Sequence, residues 1–272
     1  MYTQPTLLVS TLAIAAAVLY LLAAGRQLFQ LEMTSQKADR SVTLLATFAL
    51  IAHSYVALTL SIESGWNLGF YRVASLIFLV MSVTSLGMLI IRPLHMLLIV
   101  MFPFAALSVL VSTFAPATGQ PLIGLDQGVL IHVSASLIAY ALLALASLQA
   151  IIVAVQSKQL RAHQFRGVVK LLPPLERMES MLWELAIAGV AILTLAIISG
   201  VLYVDDLFAQ HLIHKTVLTV VSWLVFIVML TAHWIRGWRI KTAVSLILTG
   251  FTLLTLGFFG SKLVLELLLQ QS

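Results

Sequence analysis

Long apolar stretches recur along the chain, separated by short polar segments. They run Pro5–Ala24, Ser41–Ile62, Leu68–Ile91, Pro93–Phe114, Gly128–Gln156, Met181–Val204, Lys215–Ile235 and Thr242–Leu268. A helix rises about 1.5 Å per residue, so about 20 apolar residues cross a hydrocarbon core about 30 Å thick. The pattern predicts an all-α, polytopic transmembrane helical bundle of about eight spans. The third and fourth stretches meet at "IIRPLH", where Pro93 marks a tight break. No basic segment precedes the first stretch, which therefore reads as a retained span and not as a cleaved leader. The longest polar stretch, Ser157 to Glu179, covers about 23 residues, far fewer than a folded domain needs. A single integral membrane domain, residues 1–272, is the expectation.

Composition agrees with the pattern. Apolar residues make up 61% of the chain and charged residues only 9%, against roughly a quarter charged in soluble domains. The formal net charge of +5 would suggest nucleic acid if the cations formed one patch, but they are sorted by loop. Arg26, Lys37, Arg40, Arg92, Lys158, Arg161, Arg166, Lys170, Arg177, Arg236, Arg239 and Lys241 fall on one side of the predicted spans. Arg72, Lys215 and Lys262 fall on the other. Such a bias marks the cytoplasmic side. It predicts that both termini face outward, with lipid and not nucleic acid as the surroundings. The absence of cysteine excludes disulfides, thiolate metal sites and thiol–disulfide chemistry.

Chemistry must then come from the seven histidines. His163 lies in the basic loop and reads as solvated. His211 and His214 flank the outer segment "YVDDLFAQHLIHK" and read as surface residues. His53, His95, His132 and His233 lie in or at the edges of spans, where an ionisable group faces the bundle interior and is a functional candidate. Counted along the helices, His53 is near the middle of its span and His132 about one turn inside the outer edge. His233 is about one turn above the inner edge, and His95 sits at that edge. His132, Ser136 and Tyr140 recur at helical spacing, and Thr219, Ser222, Phe226, Met229 and His233 form a second stripe. Both stripes should point inward, either lining a cavity or bonding neighbouring helices. For His53, helix–helix hydrogen bonding and ligand duty are both open. His95, beside Arg92 and Pro93, reads as an interfacial anchor, and the Trp234 and Trp238 rings as an aromatic belt.

Several ligand classes drop out. No H-E-x-x-H or C-x-x-C supports zinc, no Walker loop holds phosphate, and Glu184, about one turn deep, is the only acid well inside a span boundary. Haem fits the inventory better, since imidazole ligates its iron axially and rim cations such as Arg236 suit its propionates.

The stretches "GVLIHVSASLIAYALLALASLQAI", "ILTLAIISGVLY", "HKTVLTVVSWLVFIVMLTAHWIRGWR" and "GFFGSK", with a weaker "GWNLGFYRVASLIFLV", together resemble the cytochrome c assembly family of membrane proteins. The type is CcsA/YpjD/HemX, the YpjD-like branch is nearest, and the match covers most of residues 65–262. The resemblance implies a multi-pass protein of the bacterial inner (cytoplasmic) membrane that handles haem in cytochrome c assembly or haem homeostasis. It implies that His132, which opens the "HVxxxxxxYA" segment, is a haem-iron ligand. It implies the same of His233, which closes the "W…H-x-R" segment, although Ile235 separates Trp234 from Arg236.

Departures from the family pattern bear on activity. The family's haem-joining members carry a Trp-rich WxWD segment before the seventh span, where this chain reads "VDDLFAQHLIHKTV". They also carry a last outer histidine, where this chain ends "LVLELLLQQS". Synthase activity is therefore not expected, and His211 or His214 is the available outer substitute. At their predicted depths His132 and His233 cannot share one iron, leaving two sites, a relay, or one working histidine. His53 and His95 are the inner partners available to His233. Lipids, haem and other inner-membrane or cytochrome biogenesis proteins are the expected partners. A different class remains open: a membrane regulatory protein that has lost haem and works through its basic loop. A transporter is disfavoured by the scarcity of intramembrane acids and the lack of an inverted repeat.

Overall fold

The computed structural model describes residues 5–32, 40–62, 65–91, 95–116, 118, 122–124, 126–163, 172–203, 213–236 and 240–260. Eight helices carry nearly all of them: α1 (Leu7–Glu32), α2 (Arg40–Ile62), α3 (Phe70–Ile91), α4 (His95–Phe114), α5 (Gln127–Arg161), α6 (Leu175–Tyr203), α7 (Ile213–Arg236) and α8 (Ile240–Thr255). α8 runs on into a π-helical turn, Leu256–Gly260. Each of the eight is long and apolar enough to cross a membrane, so the chain is an all-α, eight-span membrane protein. The helices gather into two compact units, one built on α1–α4 and one on α5–α8.

In the first unit, α1 packs against α2 and α4, and α3 against α2 and α4. The inward stripe of α1 is Val9, Ala13, Ala16, Ala17, Tyr20, Ala23, Ala24 and Gln27, while Leu7, Leu8, Leu21 and Leu22 are exposed. Lipid is as apolar as leucine, so burial alone does not join these helices. Small side chains that let backbones approach do. Ala46 and Ala49 of α2 and Ala105 and Ala106 of α4 supply the facing small residues. The Tyr20 and Phe102 rings, 5.2 Å between centroids, fill the space they leave.

The third predicted span opens two residues early, at Leu68, because "GWNLGF" forms a turn before the helix. The Asn67 carboxamide oxygen accepts from the Gly69 N–H at 3.0 Å, and the Thr118 hydroxyl accepts from the Phe70 N–H at 3.0 Å. Trp66 and Leu122 exchange backbone hydrogen bonds of 3.0 and 2.9 Å. Gly69 lies so close to the Thr118 backbone that a Cβ there would overlap the carbonyl.

In the second unit, α5 and α6 form a long hairpin, with α8 against α5 and α7 against both α6 and α8. Asp126 caps α5, its carboxylate accepting from the Gly128 N–H at 2.9 Å. The 35 residues of α5 measure about 52 Å, well beyond a bilayer core. The helix passes the predicted end at Gln156 because Lys158, Gln159, Leu160 and Arg161 are good helix formers. It stops at Ala162, before His163 with φ +52°. α6 starts at Leu175 and not Met181. The Pro174 carbonyl accepts from the N–H groups of Arg177 and Met178 at 3.0 and 3.3 Å, and proline suits a helix start. Two buried carboxamides fasten the hairpin. Gln149 donates to the Met178 carbonyl at 3.0 Å and Gln156 to the Pro173 carbonyl at 2.8 Å. Of the eighth predicted span, residues 261–268 lie outside the described residues.

Candidate functional site

α5 carries His132 one and a half turns past its Asp126 cap and turns it towards α6. There the imidazole Nδ1 lies 2.8 Å from the Ala196 carbonyl oxygen. A carbonyl only accepts, so Nδ1 carries the proton and donates it. The neutral ring must then hold its remaining lone pair on Nε2. Ser199 also donates to the Ala196 carbonyl, at 2.9 Å, and its hydroxyl lies 3.4 Å from Nδ1. The ring fits against Gly200, where a Cβ would stand 2.9 Å from Cε1. A backbone bond to one nitrogen, which fixes the tautomer and aims the other, is the usual support of a metal-ligating histidine.

His233 meets the same helix near its other end. Its ring stacks on Trp183 of α6, with centroids 3.5 Å apart and planes 16° from parallel. Its Nδ1 is buried and has no hydrogen-bond partner among the described residues. An orphaned buried nitrogen costs about 1–3 kcal/mol, and such an atom in a native structure calls for a ligand or water. Thirteen residues separate Trp183 from Ala196 on α6, roughly 20 Å of helix. One iron cannot take both imidazoles, as their depths in the sequence imply.

His53 is fully buried in the first unit, and both its nitrogens are engaged. Nδ1 is 3.2 Å from the Tyr20 hydroxyl of α1, and Nε2 is 2.9 Å from the Ser75 hydroxyl of α3. The ring joins three helices. Each hydroxyl can give or accept, so either tautomer is satisfied.

The remaining expected residues divide. The His132–Ser136–Tyr140 stripe diverges: His132 faces α6, Ser136 is half-buried, and the Tyr140 hydroxyl bonds the Thr255 hydroxyl of α8 at 2.9 Å. Phe251, Phe258 and Phe259 surround the Tyr140 ring, with centroids 5.2–5.6 Å away. Ser222 is fully buried and donates to the Gly250 carbonyl at 2.7 Å, binding α7 to α8. His214 is exposed in the first turn of α7. The side chains of His95 and Arg236, and all of His211, lie outside the described residues. Among the described residues no group of three or more His, Cys, Asp or Glu could hold a bare metal ion. Single imidazoles suit a ligand that brings its own equatorial donors.

Two residues absent from the sequence expectations help to build these sites. Trp183, in "MLWEL", falls inside α6 and supplies the face for His233. Gly200, in "IISGVLY", gives His132 its place. In the sequence Trp183 stands two residues inside the predicted start at Met181, where a tryptophan reads as interfacial, so the glycine among β-branched residues is the one signal available.

The sequence model of the cytochrome c assembly protein family matches residues 41–269. The inner membrane protein YpjD of Escherichia coli strain K12 is 33% identical over 234 residues, covering 84% of this chain and 88% of the relative. The YpjD protein of E. coli O157:H7 matches to the same extent. An uncharacterised 28.8 kDa protein of Azospirillum brasilense is 33% identical over 153 residues, 56% of this chain and 55% of its own length. No solved structure matches the chain.

Proposed function

This chain belongs to the cytochrome c assembly protein family, and on that premise we propose that it binds haem, with His132 and His233 as separate iron-ligating side chains. Family membership supports a role in cytochrome c maturation. Eight membrane-crossing helices and the relation to an inner membrane protein place it in the bacterial inner membrane.

The observation that carries the haem reading is the His132–Ala196 hydrogen bond. It spends the proton-bearing nitrogen on the backbone, so the ring does not need Nε2 for packing and presents that lone pair as a donor. His233 supports the reading independently through its buried, unpartnered Nδ1 and the Trp183 face that sets its ring plane. Haem, when bound, would supply an iron that an imidazole nitrogen such as those of His132 and His233 would ligate. The chain's own part is to hold two half-buried imidazoles at two levels of α6, one by a backbone hydrogen bond and one by a stacked ring. His53 is not assigned as a ligand, since ligation would break one of its two hydroxyl bonds. The reading as a haem-free regulator is not favoured by the family, and residues 164–171 of the loop it invokes lie outside the described residues.

The test is the absorption spectrum of the detergent-purified protein, oxidised and reduced, beside His132→Ala and His233→Ala. A Soret band with sharp reduced α and β bands is expected, each variant losing part of the bound haem. A wild-type protein that stays colourless after haem is added overturns the proposal.

A further inference from the structure

The second unit holds a cavity of about 550 Å³ between the last turns of α5 and the first turn of α8, away from His132. Ala154, Ala162, Ile240 and Val244 form its apolar part, and Lys158, Arg161, Lys241 and Ser157 line the rest. No Asp or Glu is among the described lining residues, and the first turn of α8 contains no acid.

Lys158 and Arg161 alone would need no ligand, because cations are favourable at the C-terminal turn of a helix. Lys241 is different. It is the second residue of α8, where the helix dipole and the unpaired N–H groups disfavour a cation. Bringing it into one cavity with two more cations adds mutual repulsion. An anion in the cavity offsets the mutual repulsion and the unfavourable place of Lys241.

The depth of the cavity selects the anion. Ile151 and Val155, one to two turns before Lys158 on α5, are 47% and 48% exposed apolar residues and belong against acyl chains. Lys158 and Arg161 then fall at the level of the headgroups, beside an apolar wall. Basic pockets at this level between spanning helices suit acidic lipid headgroups.

We propose that this cavity is a binding site for an anionic phospholipid. Its phosphate sits among Lys158, Arg161 and Lys241, and an acyl chain lies along Ala154 and Val244. By the loop charges the site belongs to the cytoplasmic leaflet.

Full-length protein in mild detergent, titrated with phosphatidylglycerol or phosphatidylcholine, tests it by native mass spectrometry and thermal denaturation. Phosphatidylglycerol should be retained and raise Tm where phosphatidylcholine does not. Each of Lys158→Gln, Arg161→Gln and Lys241→Gln should weaken retention roughly fivefold, and Arg177→Gln should leave it unchanged. The Tm of each variant without added lipid reports whether it is folded. The three single variants give independent readings, so one that fails to fold does not remove the test. Equal retention of the two lipids, or full retention by the folded variants, overturns the proposal. Equal stabilisation by inorganic phosphate also overturns it, by showing a free-anion site.

Discussion

Three buried or half-buried histidines show how an imidazole's role is set by what its two nitrogens meet. His53 spends both on hydroxyls, His132 spends one on a carbonyl, and His233 has a buried Nδ1 with no partner among the described residues. His53→Ala should therefore be a stability variant. It orphans the Tyr20 and Ser75 hydroxyls at about 1–3 kcal/mol each, lowering Tm in detergent while haem content per folded protein stays at the wild-type value. Loss of haem from a folded His53→Ala protein would move the ligand assignment to the first unit. Gly200→Ala should act at His132, because the added Cβ would press on the ring at 2.9 Å. The expected readout is weaker haem retention with a shifted Soret band, and an unchanged spectrum would show that the ring placement does not matter. Trp183→Phe should preserve the stacked face under His233 better than Trp183→Ala, as measured by haem content.

At the scale of elements, α6 acts as a spine whose one end receives His132 and whose other end receives His233. Its hairpin with α5 is held by two carboxamide–carbonyl bonds and by close packing of small residues, the usual devices of helices in lipid. Ser222 binds α7 to α8 through the Gly250 carbonyl. Interhelical bonds of this kind contribute about 0.6 kcal/mol in membranes. Ser222→Ala should therefore cost little in thermal denaturation, and it should leave haem unchanged, since the hydroxyl faces backbone and no ligand. Gly69→Ala should cost more. Its Cβ has no room beside the Thr118 backbone, so the turn that positions α3 must open. A Tm equal to wild type would show that this turn tolerates displacement.

At the scale of the whole molecule, the expectation is set by charge. Reporter fusions after Arg161 should be active for a cytoplasmic reporter such as green fluorescent protein and inactive for alkaline phosphatase. Fusions after Tyr203 should give the opposite pattern. The reverse result would place the cationic cavity and His233 on the outer side and His132 on the inner. Family membership supports a role in cytochrome c maturation.

The sequence by itself determined the eight spans, because an apolar run long enough to cross a bilayer has few other structures open to it. It also determined the family, through the order of its apolar and histidine-bearing stretches. It singled out His53, His95, His132 and His233 as candidates, since an intramembrane imidazole is rare enough to stand out. Span ends were less legible. α5 and α6 continue past the apolar boundary, where helix formers and a proline start decide and hydropathy is silent. Only the tertiary structure decided what each imidazole faces. Helical spacing put Tyr140 and His132 on one stripe but could not tell that one meets α8 and the other α6. It could not show that His53 is saturated by hydroxyls from α1 and α3, nor that Trp183 lies under His233. Those partners come from helices far apart in the chain, and a one-dimensional period carries no information about which neighbour a face will meet.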